Sequence, residues 1–371
     1  MAPIEHSEPV SDDLLLEPYQ YLSRVQGKQV SSRLLDILGT VLGASQETLD
    51  VCKDAAQRLQ TLALLVDDIE DGGQVRRGQP AAHVVYGIPA TINSAYIECF
   101  RVLESVSNLD VNPAARMRIF AEEMIDAHRG QGLDMYWRDR GVCPDIEQYA
   151  EMALGKTGAL LRIGLRLLMA LTPPFIDPLD KKIIGDVPKE LGNLLELTNL
   201  FSLYYQIRDD YLDLAVGGPL EATKGLACDL EEGKFSFPLI MALRYSADVS
   251  TEDIIERITE IHSARPTDRS SKLEFIALLE KVGAFDRTRG YIEIAHARLE
   301  QLMRNLQECN DVSAAEGTQK QALDMLKAAL EKLHEPLRPA STMSTLALSD
   351  ESTRPTWDMI SFVGRISRNH P

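Results

Sequence analysis

Aromatic side chains make up only 6% of the sequence, and alternating runs of β-branched residues are few. Sheets draw on both, so the shortage argues against a sheet-based fold. No apolar run reaches the roughly 18 uninterrupted residues that a membrane span requires. The longest candidate, Ala159 to Leu171, is broken by Arg162 and Arg166. The acidic N-terminus shows no apolar signal core, so a secretory leader is not expected. The five cysteines, Cys52, Cys99, Cys143, Cys228 and Cys309, are widely spaced and none belongs to a Cys-x-x-Cys pair. Neither a disulfide framework nor a zinc site is expected, and a reducing, cytoplasmic compartment fits. Basic residues are outnumbered 39 to 56 by acidic ones, for a formal charge of −17. That balance excludes a broad nucleic-acid-binding surface, which needs clustered Lys and Arg. An anionic substrate would need a local basic patch or a bridging cation, because the overall field repels it.

What is abundant points to helix: Leu, Ala, Glu and Met dominate. Residues 1–16 read as a polar lead. From residue 17 to about 335 a helical period recurs, as in Cys52, Ala55, Leu59, Leu62 and Val66, or Leu323, Leu326, Leu330 and Leu333. Breaks fall at Gly72-Gly73, Pro173-Pro174, Gly217-Gly218-Pro219 and Arg265-Pro266. From residue 336 to 371 the chain turns to Pro, Ser, Thr and scattered charge, and reads as a mobile tail in which Trp357, Ile360 and Phe362 offer weak docking points.

The sharpest local signal is Val66-Asp67-Asp68-Ile69-Glu70-Asp71, at the end of the first apolar helix. Asp67 and Asp71 are four apart and share a helical face, with Asp68 beside them. Gly72 and Gly73 then stop the helix. The carboxylates therefore crowd the negative end of a helix dipole, an arrangement that costs stability without a counter-charge. Hard divalent cations relieve it, and magnesium commonly bridges carboxylates to substrate phosphates. A second cluster, Gln206-Ile207-Arg208-Asp209-Asp210-Tyr211-Leu212-Asp213, repeats the pattern with Asp209 and Asp213 four apart. One acidic helix end is usually a solvated face; two, each on a strongly apolar helix, point to a metal-assisted site. Arg76-Arg77, Lys156-Thr157, Lys224 and Lys234 lie around these clusters in sequence. Carboxylates, magnesium and Lys/Arg are the parts that stabilise a departing pyrophosphate. His128 reads as a pocket-wall or core histidine, and Tyr204, Tyr205 and Tyr211 as packing.

With these motifs go Gly130-Gln131-Gly132-Leu133-Asp134-Met135-Tyr136-Trp137-Arg138-Asp139 and Glu232-Gly233-Lys234-Phe235-Ser236-Phe237-Pro238. Together they resemble the trans-prenyltransferase family, in particular eukaryotic-type geranylgeranyl diphosphate synthases. The resemblance implies an all-α, single-domain helical bundle around a deep apolar cavity, the isoprenoid synthase fold, assembled as a homodimer. It implies about three Mg2+ ions held by Asp67, Asp71 and Asp209, with Asp68, Asp210 and Asp213 in support. Arg76, Lys156, Thr157, Gln206, Lys224 and Lys234 would surround the allylic diphosphate. Its loss would give an allylic cation attacked by isopentenyl diphosphate, and the released diphosphate would accept the proton.

Two positions depart from the family pattern. After Gly27-Lys28, Ser31 stands where the family has Arg, with Arg33 two places on, and Gln60 stands where it has His. With Lys28 and Arg77, those positions hold isopentenyl diphosphate in the family. The expected activity is synthesis of geranylgeranyl diphosphate (C20). The alternative is a cyclase on the same scaffold that ionises a prenyl diphosphate without using isopentenyl diphosphate; a non-catalytic partner subunit is a third reading, which the intact Asp clusters oppose. The residues four and five before Asp67 are Ala63 and Leu62. Neither is aromatic, which by the resemblance leaves room for C20 chains, and Cys99-Phe100 replaces an aromatic pair on the next helix.

Overall fold

The computed structural model describes residues 11–25, 27, 29–108, 113–172, 176–177, 182–183, 189–221, 224–245, 251–310, 316–337 and 358–369. Helices in chain order are α1 (Asp12–Leu15), α2 (Glu17–Ser23), α3 (Val30–Leu42), α4 (Gln46–Glu70), α5 (Ala82–Tyr86), α6 (Ile88–Ser107), α7 (Pro113–Arg140), α8 (Ile146–Ala153), α9 (Ala159–Leu171), α10 (Lys189–Asp213), α11 (Cys228–Glu232), α12 (Phe237–Tyr245), α13 (Glu252–Ala264), α14 (Arg269–Lys281), α15 (Ala284–Asn310), α16 (Glu316–His334) and α17 (Met359–Asn369). A π-helical turn, Leu154–Gly158, joins α8 to α9. Strand is confined, among the described residues, to two antiparallel ribbons, β1 (Val75–Arg76) with β2 (Gln79–Pro80) and β3 (Ile176–Asp177) with β4 (Lys182–Ile183). The all-α expectation holds.

The apolar stripe of α4 explains its place. Cys52, Ala55, Leu59 and Leu62 are all buried, and α4 packs on α3, α6 and α9. Ser45 caps its start by accepting from the Thr48 N–H at 3.2 Å. A second apolar cluster gathers α8, α10, α12, α15 and α16, with Leu194, Leu197, Leu200 and Phe201 from α10. Between the α4 side and the α10 side lies a cavity of about 940 Å³. No described helix is long and apolar enough to cross a membrane. Cys52, Cys99, Cys143 and Cys228 are free thiols.

The ends of the chain depart from the sequence reading. Within the lead, Leu16 is buried beside α1. Within the stretch read as a mobile tail, α17 packs on α10 and α15 and buries Met359, Phe362 and Val363 in the core. Their spacing of three and four puts them on one face, which the short apolar run disguised. Trp357 and Pro173-Pro174 lie outside the described residues.

Candidate active site

The end of α4 carries the first acidic cluster, and its three aspartates separate. Asp67 faces the cavity, 3.1 Å from Arg76 Nη2 through Oδ2 and 3.1 Å from Lys156 Nζ through Oδ1. Oδ1 is nevertheless buried without a hydrogen bond of good geometry. Burial alone would raise the Asp67 pKa, but Lys156, Lys234 and Arg76 hold it well below the carboxylate range. Asp68 is buried and receives Arg76 Nε at 2.7 Å, while its Oδ2 has no hydrogen-bond partner. Asp71 is turned away from the cavity: Arg138 Nη1 donates to Oδ1 at 2.8 Å and Lys234 Nζ to Oδ2 at 2.5 Å. Burial pushes its pKa up against these partners. Arg138 Nη1 also donates to the Glu70 carbonyl at 3.1 Å, so a cation closes the negative end of α4. The counter-charge that the helix end demands is thus supplied by side chains.

The second cluster behaves similarly. Asp209 is half-buried and lines the cavity. Asp210 accepts from Tyr149 Oη at 2.7 Å, the Phe237 N–H at 2.8 Å and Gln206 Nε2 at 2.8 Å. Burial and the nearby charge of Asp229 raise its pKa. Asp213, expected to support a metal, instead caps α11 by accepting from the N–H groups of Cys228 at 3.3 Å and Asp229 at 3.1 Å. Asp229 takes its place at the cavity, paired with Lys224 Nζ at 3.1 Å. Among the described residues, Asp67, Asp71 and Asp209 do not converge as one three-ligand group: Arg76 and Lys156 hold Asp67, and Arg138 and Lys234 hold Asp71. The donor chemistry still fits a hard cation: Asp68 Oδ2 is a buried acceptor with no hydrogen-bond partner, and Asp67 Oδ1, held by the Lys156 ion pair without a well-aligned hydrogen bond, is a second carboxylate oxygen that such a cation could share.

Lys156 and Thr157 sit on the π turn, where a widened turn aims both side chains at the acidic clusters. Lys156 Nζ also pairs with Asp134 at 2.9 Å, and Thr157 Oγ1 donates to Gln206 Oε1 at 2.7 Å. The turn lies directly on α7: a Cβ on Gly130 would come 2.2 Å from the Lys156 backbone N. Only glycine permits that approach, which accounts for the first glycine of the Gly-Gln-Gly motif; nothing in the structure requires the second, Gly132.

The opposite part of the cavity is lined by Arg24, Arg77 and one neutral pair of side chains. Ser31 Oγ donates to Gln60 Oε1 at 2.8 Å, and both side chains line the wall. Arg77 sits in the two-residue β1–β2 turn at φ 54° beside Gly78 at φ 75°, donates to the Val25 carbonyl, and lies against Gly27, where a Cβ would meet its Nη2 at 2.6 Å. Arg33 is exposed and absent from the lining, since two residues beyond Ser31 is the far side of α3. Lys28 lies outside the described residues.

Leu62, Ala63, Val66, Leu160, Leu161 and Phe201 supply the apolar wall, with Tyr205 and His128 beside them. Cys99 and Phe100 do not reach it; Phe100 is 64% exposed, next to Tyr96 on the outer face of α6. Tyr204 is core, and Tyr211 packs edge-on against Phe285. Sequence reasoning gave no role to Asp134, Arg138, Tyr149 and Asp229. Asp134 and Arg138 do share a face of α7 by their four-residue spacing, which was a usable signal; Tyr149 and Asp229 depend on tertiary contacts.

Comparison with known proteins now has a geometry to explain. The chain is 34% identical over 285 residues to a geranylgeranyl pyrophosphate synthase of Mucor circinelloides f. lusitanicus, covering 77% of this chain and 86% of that one. It is 35% identical over 322 residues to geranylgeranyl pyrophosphate synthase 1 of Zymoseptoria tritici, covering 87% and 86%. It is 36% identical over 272 residues to geranylgeranyl pyrophosphate synthase paxG of Penicillium paxilli, covering 73% and 67%. The profile described as polyprenyl synthetase matches residues 12–278, a span that holds both acidic clusters and the π turn between them. By that match and these relatives, the chain belongs to the polyprenyl synthetase family.

Proposed function

We propose that this protein condenses isopentenyl diphosphate with allylic diphosphates to form geranylgeranyl diphosphate. The observation that carries the reading is the junction, in one cavity, of Asp67 and Asp209 with Lys156, Lys224, Lys234 and Arg76, continued by a wall of Leu62, Ala63, Val66 and Leu160. The names of the relatives support the same product class. Lys156 and Lys224 stay protonated because the surrounding carboxylates outweigh the cost of burial. A diphosphate entering here meets positive charge held in a protein cavity, where each contact is worth more than in bulk water. Thr157 and Gln206 orient its oxygens.

Asp67, Asp209 and, once Lys234 turns to substrate, Asp71 are the residues that would hold Mg2+, about three ions by the resemblance. The metal, when bound, supplies the remaining positive charge on the diphosphate. As the allylic C–O bond breaks, the electron pair leaves with pyrophosphate, which Lys156, Lys224, Lys234 and Arg76 stabilise. The double bond of isopentenyl diphosphate closes the new C–C bond, and the proton lost from the adjacent carbon passes to a released diphosphate oxygen. The apolar wall excludes water from the cation. Tyr96 and Phe100 on α6, with Met117, Ile125 and Tyr136 on α7, are exposed apolar side chains that suit a homodimer face. The free thiols are in keeping with a cytoplasmic setting.

The Ser31–Gln60 pair favours one other reading, a cyclase that ionises a prenyl diphosphate alone. A single incubation separates the two. Protein and Mg2+ are mixed with dimethylallyl, geranyl, farnesyl or geranylgeranyl diphosphate, each with and without isopentenyl diphosphate. Chain elongation to C20 only when isopentenyl diphosphate is present supports the synthase; a hydrocarbon or terpene alcohol in its absence supports the cyclase and overturns the synthase.

A further inference from the structure

The π turn that carries Lys156 and Thr157 is held from behind by a line of buried polar groups that ends in the last helix. Arg162, on α9, is 1% exposed. Its Nε and Nη2 meet Glu123 on α7, with Nη2 at 2.9 Å from Oε2. Its Nη1 donates to the carbonyl of Leu154, the first residue of the π turn, at 2.9 Å and to Asn199 Oδ1 at 3.0 Å. Asn199 is fully buried on α10, and its Nδ2 donates to Ser367 Oγ on α17 at 2.9 Å. The Ser367 hydroxyl donates in turn to the Val363 carbonyl at 2.8 Å.

The direction of every bond in this line is fixed. Arginine has no acceptor, so Asn199 must present its oxygen to Arg162 and its amide nitrogen to Ser367. Ser367 spends its one proton on Val363 and is left as an acceptor. Removing the hydroxyl strands a buried amide donor on Asn199, and the amide regains partners only by turning, which withdraws the oxygen from Arg162. Arg162 also fills the space against the turn: a Cβ on Gly158 would meet its Nη1 at 2.8 Å. The guanidinium therefore sets where the turn sits, and the turn sets where Lys156 and Thr157 point.

We propose that α17 is a positioning element of the reaction, acting from Ser367 through Asn199 and Arg162 on the π turn that presents Lys156 and Thr157. The proposal rests on the synthase reading for its kinetic consequence, but the geometric coupling stands apart from it. The test uses full-length protein carrying Ser367→Ala, with Ser367→Thr as the hydroxyl-retaining rescue and Phe362→Leu as a control that thins the apolar docking of the same helix. Amide hydrogen exchange is followed on peptides covering 152–160, together with kcat, KM for both diphosphates, and Tm.

Ser367→Ala is expected to raise exchange across 154–158 and to lower kcat about three- to tenfold, with KM for isopentenyl diphosphate within twofold of wild type. Ser367→Thr restores both. Phe362→Leu lowers Tm while leaving kcat and exchange in the turn near wild type. Unchanged exchange at 154–158 in Ser367→Ala overturns the proposal whatever the activity, as does a kcat loss in Phe362→Leu equal to that in Ser367→Ala, which would make stability the cause. If wild type makes no elongated product, the synthase reading fails, and the exchange data still decide the coupling.

Discussion

The two ends of the cavity differ in how densely they carry charge. At one, Asp67, Asp71, Asp134 and Asp229 are met by Arg76, Lys156, Lys224 and Lys234 in close ion pairs. At the other, Ser31 and Gln60 satisfy each other with one neutral hydrogen bond. The charged end is a site built to receive more charge: its cations are gathered before ligand arrives, and the change a pyrophosphate requires is the exchange of carboxylate partners for phosphate, as when Lys234 leaves Asp71. The other end has fewer charges, Arg24 and Arg77 on the lining, with the neutral Ser31–Gln60 pair beside them. A ligand phosphate there must compete with the Ser31–Gln60 bond and finds no charge from either side chain. The difference predicts an enzyme that ionises its allylic substrate well and holds its second substrate weakly.

The charged end gives the largest expected effect. Asp67→Ala or Asp209→Ala should lower kcat by at least about a hundredfold, the scale of losing one key electrostatic stabiliser. Excess chelator should abolish turnover of the wild type to a similar degree. Pyrophosphate release from the allylic substrate is the readout, and near-normal release in chelator would leave the contrast between the ends without its metal half.

The Ser31–Gln60 pair is tested by placing charge there. A charge-assisted hydrogen bond contributes about 1.5–3 kcal/mol, and each ~1.4 kcal/mol is about tenfold in affinity. Ser31→Arg with Gln60→His should therefore lower KM for isopentenyl diphosphate by roughly ten- to a hundredfold, while KM for the allylic partner stays nearly unchanged. A wild-type enzyme that already binds isopentenyl diphosphate tightly would show that the Ser31–Gln60 pair is no deficit.

How much of this contrast was legible beforehand follows from where each residue gets its position. Asp67 at a glycine-stopped, apolar helix end could be read from local pattern, and so could the neutral identities of Ser31 and Gln60. The separation of Asp71 from Asp67 could not, because it depends on Arg138 from α7 and Lys234 from the loop after α11. Asp213 shares the four-residue spacing that marked Asp67 and Asp71, yet the backbone of Cys228 and Asp229 claims it. Phe100 sits one residue past Cys99 on a helix whose outward face the sequence could not orient. In each case the helix was predictable and the neighbour was not.

The apolar wall joins the two ends, and it offers a smaller, qualitative effect. Ala63 lines the cavity one turn before Asp67. Ala63→Phe should place a ring in the path of the growing chain and shift products from C20 towards C15, read by chromatography of the dephosphorylated alcohols. An unchanged product spectrum would place the chain along another wall.

The smallest effect separates the ends by acid. His262 Nε2 donates to the carbonyls of Gly233 at 3.1 Å and Lys234 at 3.2 Å, and its ring packs on Phe235 at 4.6 Å between centroids. It thereby fixes the backbone from which Lys234 reaches Asp71. Burial lowers its pKa below the ordinary histidine value, with Arg265 adding to the shift against the two backbone bonds. A histidine depressed in the folded state favours folding above its unfolded pKa of about 6.5, and that contribution is lost as pH falls from there through the folded value. Each unit of depression is worth about 1.4 kcal/mol. His262→Gln retains an amide that can donate to the same carbonyls and has nothing to titrate. The variant should lose less Tm than wild type between pH 7 and pH 5, by on the order of a few degrees. Gln60→Leu, at the other end, removes no titrating group, so its acid slope should match that of the wild type. If His262→Gln tracks wild type through this range, the burial of a neutral His262 behind Lys234 contributes no acid lability, and its place in this account falls.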